Sequence, residues 1–180
     1  MFNRMRIGII AILLSVTFSS TVNSASVDFR PSSQNVVTGE MFTVDIVGLG
    51  FTGLAGGEFD LFFSEEFIDI NSVVIGDNWD FAPDGGTKGS FGVWEFVAFD
   101  TFVNAPAMGD VLIATINLTA VAEGVGNIGF GYSFFSDGVI DLVPTLGTTD
   151  ITVSAVPLPA AAWLFLSGLG LIGFTAKKKK

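Results

Sequence analysis

The chain has 180 residues, a formal net charge of −10, and neither cysteine nor histidine. All 18 acidic residues lie between Asp28 and Asp150, where Arg30 and Lys88 are the only basic residues, so this central region has a formal charge of −16. A surface this acidic repels phosphate backbones, which argues against nucleic acid as a partner. Without cysteine and histidine the chain forms no disulfide, no Ser-His-Asp or Cys-His catalytic arrangement and no histidine-based zinc site.

Residues 1–25 have the pattern of a secretory signal peptide. Arg4 and Arg6 precede an apolar run over residues 7–18, and the small residues of the segment Val22-Asn23-Ser24-Ala25 suit cleavage by signal peptidase. With about 12 residues, the apolar run is short for a transmembrane helix. We therefore expect this segment to direct export.

Residues 26–154 contain many short stretches in which polar and apolar residues alternate. The alternation is clearest in Phe42–Val47, Glu58–Leu61 and Val111–Ala120, and it is typical of half-buried β-strands. Further strand-like runs are Val27–Arg30, Asn35–Val37, Phe67–Ile70, Val73–Ile75, Phe91–Phe99, Ile128–Phe135, Val139–Val143 and Ile151–Val153. No sustained helical period occurs. About nine strands in this length predict an all-β fold, a single antiparallel β-sandwich of the jelly-roll type.

Stretches rich in glycine, aspartate and proline separate these runs and predict turns. The longest covers Gly48–Gly57. The pair Asp137-Gly138 stands between two strand-like runs, which predicts a hairpin with a type I′ turn, since both central residues of that turn need positive φ.

Residues 155–180 have three parts. The first is a short motif with two prolines, Val156-Pro157-Leu158-Pro159-Ala160, and the second is an uncharged apolar run to residue 176. The third is a basic end formed by Lys177, Lys178, Lys179 and Lys180. Because proline is tolerated only in the first turn of a helix, we expect one transmembrane helix over about residues 160–176. The lysines predict a cytoplasmic end and an exported body.

This tail resembles the PEP-CTERM sorting signal in its VPLPA variant, in which the motif is followed by a span such as Trp163-Leu164-Phe165 and its glycine-rich continuation. The basic end of that family is usually rich in arginine, whereas here it is all lysine. The resemblance implies that an exosortase recognises Pro157-Leu158-Pro159 and removes the tail. It also implies transit from the inner membrane to the cell surface or extracellular matrix of a Gram-negative bacterium. A permanent single-span anchor is the alternative.

The body resembles a cohesin domain over most of residues 27–153. The similarity lies in ordered hydrophobic and glycine spacing along the runs Gly39–Ile46, Gly53–Phe63, Phe67–Gly76, Gly109–Leu118 and Gly126–Gly129. Where cohesins often carry Tyr-Asp after the third strand, this chain has Phe63-Ser64. The resemblance implies a nine-stranded jelly roll related to carbohydrate-binding modules and a binding role without catalysis. A dockerin-like protein is the partner type that it suggests.

Several polar and aromatic residues of the body are candidates for chemistry. Carboxylates available for glycoside hydrolysis are Glu58, Glu65, Glu66, Glu95 and Asp100, but no spacing singles out a pair, so we predict that the chain is not an enzyme. No cofactor is expected. Calcium is the one metal that the composition permits, through the loop residues Asp77, Asn78, Asp80, Asp84 and Asp137, although their spacing fits a solvated acidic loop better.

Trp79 and Tyr132 are the candidates for carbohydrate binding, because aromatic rings exposed on a surface can stack against sugars. Trp94 falls in a strand and is expected in the core. The sequence thus indicates an exported, exosortase-sorted protein with a non-catalytic sandwich that serves as a protein-interaction or structural module. The alternative is a module that binds an extracellular polysaccharide.

Overall fold

The computed structural model describes residues 24–83, 85–156, 164, 165 and 167. The predictions for the signal peptide, the sorting tail and Asp84 therefore fall largely outside the described residues. No helix among the described residues is both long enough and apolar enough to cross a membrane.

The described chain between residues 24 and 156 is built from strands and contains no helix, which confirms the all-β prediction. The strands are β1 (Ser26–Pro31), β2 (Asn35–Val37), β3 (Met41–Leu54), β4 (Gly56–Phe63), β5 (Ile68–Ile75), β6 (Thr87–Lys88), β7 (Val93–Asp100), β8 (Ala107–Ala120), β9 (Gly124–Ser136), β10 (Asp141–Leu142), β11 (Thr145–Leu146) and β12 (Thr148–Ser154). Eight of them are long, and four have only two or three residues.

The strands form two sheets that pack face to face. The first sheet has the order β11-β1-β3-β8-β5, and the second has the order β2-β12-β9-β4-β7-β6 with β10 beside β9. Most neighbouring strands are antiparallel, while the short β11 and β2 pair in parallel with β1 and β12. The architecture is therefore the predicted sandwich.

Side chains alternate between the core and the outer face along each long strand. In β4, Phe59, Leu61 and Phe63 point into the core, while Glu58, Asp60 and Phe62 point outward. Phe59 is the centre of an aromatic group with Phe99, Phe130 and Phe135, whose ring centroids lie 5.4–6.3 Å from its own. Burial of a large apolar side chain contributes about 1.5–3 kcal/mol. Phenylalanine therefore stabilises a sandwich that has no disulfide.

The segment Gly48–Gly57, predicted as a turn, is instead strand for all but one residue. β3 continues to Leu54, and β4 begins at Gly56 after a break at Ala55. Register shifts interrupt the pairing of β3 with β8 after Gly48 and after Phe51. A Cβ atom at Gly48 would lie 2.9 Å from the Phe51 ring, so glycine allows the strand to bulge and Phe51 to turn into the core. Turn-like composition here indicates bulges within one long strand.

Two other sequence predictions also need correction. The runs Phe67–Ile70 and Val73–Ile75 belong to one strand, β5, with a register shift between Ile70 and Ser72. The hairpin at Asp137-Gly138 exists, but its loop spans residues 137–140, and Gly138 alone has positive φ. The turn is therefore not type I′.

Candidate interaction surface

The outer face of the first sheet is mainly polar, although Met41, Val74 and Leu112 are also exposed on its strands. Its side chains bond to one another across the strands: Thr115 Oγ1 donates to Asp45 Oδ1 at 2.7 Å, and Asn117 Nδ2 donates to Ser72 Oγ at 3.0 Å. Asn71 Nδ2 likewise donates to Thr119 Oγ1 at 2.9 Å. Because these groups bond to one another, this face offers few polar groups in need of a partner.

The outer face of the second sheet carries aromatic side chains. Six rings, each between 40% and 71% exposed, lie on or beside strands β9, β4 and β7: Phe62, Phe81, Phe96, Phe102, Tyr132 and Phe134. We call this surface the aromatic face. Exposed aromatic side chains so concentrated on one surface are characteristic of interaction sites.

Two bulges beside Asp60 help to direct two of these rings toward solvent. Opposite the step from Phe59 to Leu61 in β4, both β7 and β9 have one extra residue. The extra residues allow Phe96 of β7 and Tyr132 of β9 to point outward, at 63% and 62% exposure. Phe96 adopts φ +62°, and Asp60 Oδ1 accepts a hydrogen bond from its backbone N–H at 3.0 Å. Asp60 therefore stabilises an unusual backbone conformation at the centre of the face.

A groove of about 390 Å³ crosses the aromatic face at the end where β4 begins. Two rows of residues paired across β9, β4 and β7 form it: Phe134, Glu58 and Ala98 in one row, and Ser136, Gly56 and Asp100 in the other. Small side chains at the middle or edge of each row create the depression. Gly56 is required there, because a Cβ atom would lie 2.8 Å from the carbonyl oxygen of Phe99.

Phe81 and Phe102 form one wall of this groove. Phe81 and Asp100 form an isolated antiparallel bridge, with backbone N–O distances of 3.1 and 2.9 Å. The Phe102 ring packs edge-to-face on Phe81, with 5.4 Å between centroids. Phe134 lies in the groove on the β9 side, so the depression has aromatic surface on two sides.

The loop that carries Phe102 is tied down by Asp80. Asp80 Oδ2 accepts hydrogen bonds from the backbone N–H groups of Val103 and Asn104, at 2.9 and 2.7 Å. These bonds stabilise the charged carboxylate, and so they lower the pKa of Asp80 below its usual value. The wall of the groove is thus supported by a hydrogen-bonded loop.

The electrostatics of the aromatic face are negative. Glu58 and Asp100 lie in the groove, and Asp60 lies beside it. In the described part of the chain the two basic side chains lie elsewhere: Arg30 is on β1 of the first sheet, and Lys88 forms an ion pair with Asp69. The face therefore combines aromatic surface with uncompensated negative charge.

The structure separates the two residues predicted to bind carbohydrate. Tyr132 is exposed on the aromatic face, whereas Trp79 is only 6% exposed. Trp79 packs on Phe99 with 4.4 Å between ring centroids and donates a hydrogen bond from Nε1 to the Leu112 carbonyl at 3.3 Å. The two rings thus form no shared platform, because the loop of Trp79 folds inward. Trp94 is buried, as expected, and its Nε1 donates to the Gly85 carbonyl at 2.8 Å.

The acidic loop residues are spread over different parts of the surface. Asp77 and Asn78 line a polar cavity of about 410 Å³, while Asp80 supports the Phe102 loop. Asp137 Oδ1 accepts hydrogen bonds from the N–H groups of Val139 and Ile140, and these bonds lower the pKa of Asp137. Among the described residues, no group of three or more acidic side chains could hold a metal ion.

Of the sorting-motif residues, only Val156 is described, and it is exposed two residues after the end of β12. Pro157 to Ala160 and the four terminal lysines lie outside the described residues. Sequence reasoning missed five of the six rings on the aromatic face. The period of two in β4 could have predicted one of them, because it places Phe62 on the opposite face of the strand from Phe59, Leu61 and Phe63.

Comparison with solved structures shows that the sandwich has the cohesin fold. It is similar to a cohesin module of a family 33 glycoside hydrolase from Clostridium perfringens, with 13% identity, a TM-score of 0.61, and coverage of 74% of this chain and 100% of that one. It is also similar to a chain of a cohesin–dockerin complex from Clostridium thermocellum, with 11% identity, a TM-score of 0.59, and coverage of 73% of this chain and 100% of that one. A third similar structure is a non-cellulosomal cohesin from Archaeoglobus fulgidus, with 8% identity, a TM-score of 0.60, and coverage of 73% of this chain and 91% of that one. Comparisons with protein-family models and with curated proteins found no match.

Proposed function

We propose that the sandwich is a non-catalytic protein-interaction module that binds its partner through the aromatic face. The observation that carries the proposal is the contrast between the two outer sheet faces. One is mainly polar and carries hydrogen bonds between side chains of neighbouring strands, and the other exposes six aromatic rings around a groove. Aromatic residues provide most of the binding energy in many protein interfaces.

The structural relatives support a protein partner. Several of the similar solved structures are described as complexes of a cohesin with a dockerin, among them one from Clostridium thermocellum and one from Acetivibrio cellulolyticus. Another is described as a non-cellulosomal cohesin. We therefore propose a dockerin-like protein as the partner type.

The absence of cysteine and histidine from the whole sequence supports a role without catalysis, because the common nucleophile–base pairs cannot form. Of the five carboxylates available for glycoside hydrolysis, the groove contains Glu58 and Asp100. An assay with arylglycosides tests for glycosidase activity, and any activity that depended on the groove would be lost when both carboxylates are replaced with amides. We expect the unaltered chain to show no such activity.

Export and sorting complete the proposal. We infer that the N-terminal segment directs secretion and that an exosortase removes the tail, which places the sandwich at the cell surface or in the extracellular matrix. The signal-peptide pattern and the VPLPA motif support this inference, as does the exposure of Val156 beyond the last strand. Mass spectrometry and fractionation, in hosts with and without the exosortase, test it. A tail that remains in the membrane in both hosts would contradict it.

The interaction is tested with the purified full chain as bait for the extracellular proteins of its host. A double variant, Phe96→Ser with Tyr132→Ser, changes the aromatic face, and Thr43→Ala with Thr119→Ala is the control on the polar face. We expect the unaltered chain and the control to retain a partner that the aromatic-face variant loses. The partner is then produced separately, and the binary affinity is measured. Equal binding by all three proteins would overturn the proposal.

Polysaccharide binding is the second candidate, and the exposed ring of Tyr132 favours it. The residue that tests it is Tyr132 and not Trp79, because a Trp79 substitution would leave a cavity in the core. Glycan-array binding by the full chain that disappears in Tyr132→Ala, without a change in thermal stability, would establish the alternative.

A further inference from the structure

We propose that the groove on the aromatic face binds a basic side chain, arginine or lysine, from a segment of the partner protein. This inference rests on the proposed function, because it names the chemistry of the partner at the same face. It follows from the combination of aromatic walls and carboxylates in one depression.

The walls suit the stem and the planar head of such a side chain. Phe81 and Phe102 meet edge-to-face at 5.4 Å, and Phe134 contributes apolar surface from the β9 side. The methylene stems of lysine and arginine pack on apolar surface, and their cations are attracted to the faces of aromatic rings within about 6 Å. Ala98, Gly56 and Ser136 leave the room that a long side chain needs.

The carboxylates provide the charge complement. Glu58 and Asp100 are diagonal neighbours across β4 and β7, a relationship that separates the Cα atoms of such residues by about 7–8 Å. An arginine head that enters between them could bond to either carboxylate through its fork of N–H groups. In the described part of the chain neither carboxylate forms an ion pair, since Lys88 contacts Asp69 and Arg30 lies on the other sheet.

The overall charge points to the same occupant. The region from Asp28 to Asp150 has a formal charge of −16, so a second copy of this region would be repelled and could offer only Arg30 or Lys88. A partner that supplies positive charge is attracted at long range and meets a groove with matching short-range chemistry.

Fluorescence anisotropy with a labelled tetra-arginine peptide tests the proposal on the full chain in non-ionic detergent. The variant Glu58→Gln with Asp100→Asn removes the two groove charges. A matched control, Glu66→Gln with Glu123→Gln, removes two charges from exposed positions outside the groove. We expect saturable binding that falls roughly tenfold in the groove variant and changes by less than about twofold in the control.

A third variant, Ala98→Leu, fills the groove without changing its charge. Because Ala98 points outward from β7, we expect normal folding by circular dichroism and a loss of binding similar to that of the charge variant. Equal losses in the groove variant and its control would mean attraction by net charge only, and would overturn the proposal. Unchanged peptide binding by Ala98→Leu would also overturn it. A competition experiment with the sugar cellohexaose gives the remaining outcome: the proposal is wrong if cellohexaose displaces the peptide and binds the charge variant as tightly as it binds the unaltered chain.

The two proposals fail in distinguishable ways. If the charge variant keeps the affinity for the identified partner while Phe96→Ser with Tyr132→Ser loses it, the groove inference is wrong and the proposed function stands. If neither variant changes partner affinity, the aromatic face is not the interface, whatever the tetra-arginine peptide does.

Discussion

The backbone N–H of Phe96 donates a hydrogen bond to Asp60 Oδ1 at 3.0 Å, across the pairing of β4 with β7. This contact lies where β7 and β9 both bulge around one residue of β4. Phe96 adopts φ +62°, a region that L-residues other than asparagine and aspartate seldom occupy. An exposed ring in a strained position indicates a functional reason for the side chain, because stability would favour glycine.

Phe96→Gly tests this interpretation. Since a Cβ atom in the left-handed region costs about 1–2 kcal/mol, we expect the free energy of unfolding to stay unchanged or to rise by up to about 1 kcal/mol. Phe62→Gly, on the regular part of β4, is the comparison and should lose at least about 0.5–1 kcal/mol, the cost of glycine relative to alanine within a strand. Urea unfolding measures both. A loss in Phe96→Gly as large as that in Phe62→Gly would argue against strain at Phe96.

Gly85→Ala should be strongly destabilising. A Cβ atom at Gly85, where φ is +65°, would lie 1.9 Å from the Val73 carbonyl oxygen of β5, and the Gly85 carbonyl accepts the Trp94 hydrogen bond. Gly50 has the same φ with no atom within 4 Å of its Cβ position, so Gly50→Ala is the matched control. We expect Gly50→Ala to cost about 1–2 kcal/mol and Gly85→Ala to exceed it by at least about 2 kcal/mol. Chemical denaturation compares them, and similar losses would contradict the close approach to Val73.

Substitutions at Phe59 and Phe62 distinguish a residue that stabilises the core from one that is proposed to bind the partner. Phe59 is fully buried in the aromatic group, so Phe59→Ala should lower the free energy of unfolding by about 3–5 kcal/mol. Phe62 is 53% exposed on the aromatic face, and Phe62→Ala should lose less than about 1 kcal/mol. Thermal unfolding measures the stability effects, and the partner assay shows whether Phe62→Ala weakens binding. A large stability loss in Phe62→Ala would mean that its ring belongs to the core.

The Asp80 tether predicts a response to acid. The folded pKa of Asp80 is lowered by the N–H groups of Asn104 and Val103, so its stabilising effect is complete above the unfolded value of 3.8. The effect is lost as the pH falls through the lower folded pKa. In NMR titrations of the full chain, we expect the Val103 and Asn104 amide signals to shift with a midpoint below pH 3.8. In Asp80→Ala this acid-dependent shift should disappear. Its persistence would assign the shift to another group.

The alternation of polar and apolar residues was enough to predict much of the fold. Phe59, Leu61 and Phe63 in β4, and Ile116 and Leu118 in β8, follow a period of two, and all are buried as that pattern requires. The hairpin loop and the Gly48–Gly57 segment were harder to predict. Their glycines indicate an unusual backbone, but whether it forms a turn or a bulge depends on the partner strand.

The sequence by itself determined the all-β class, the acidic body, the exclusion of histidine and cysteine chemistry, and the two distinctive terminal segments. These properties depend on composition and on local periodicity, which need no knowledge of contacts. Only the tertiary structure decided where the aromatic face lies and that Trp79 is excluded from it. Phe134, Glu58 and Ala98 are far apart in the chain and meet only because β9, β4 and β7 are neighbours. Strand order and bulge position depend on packing across the whole sandwich, so the site they create cannot be read from local sequence.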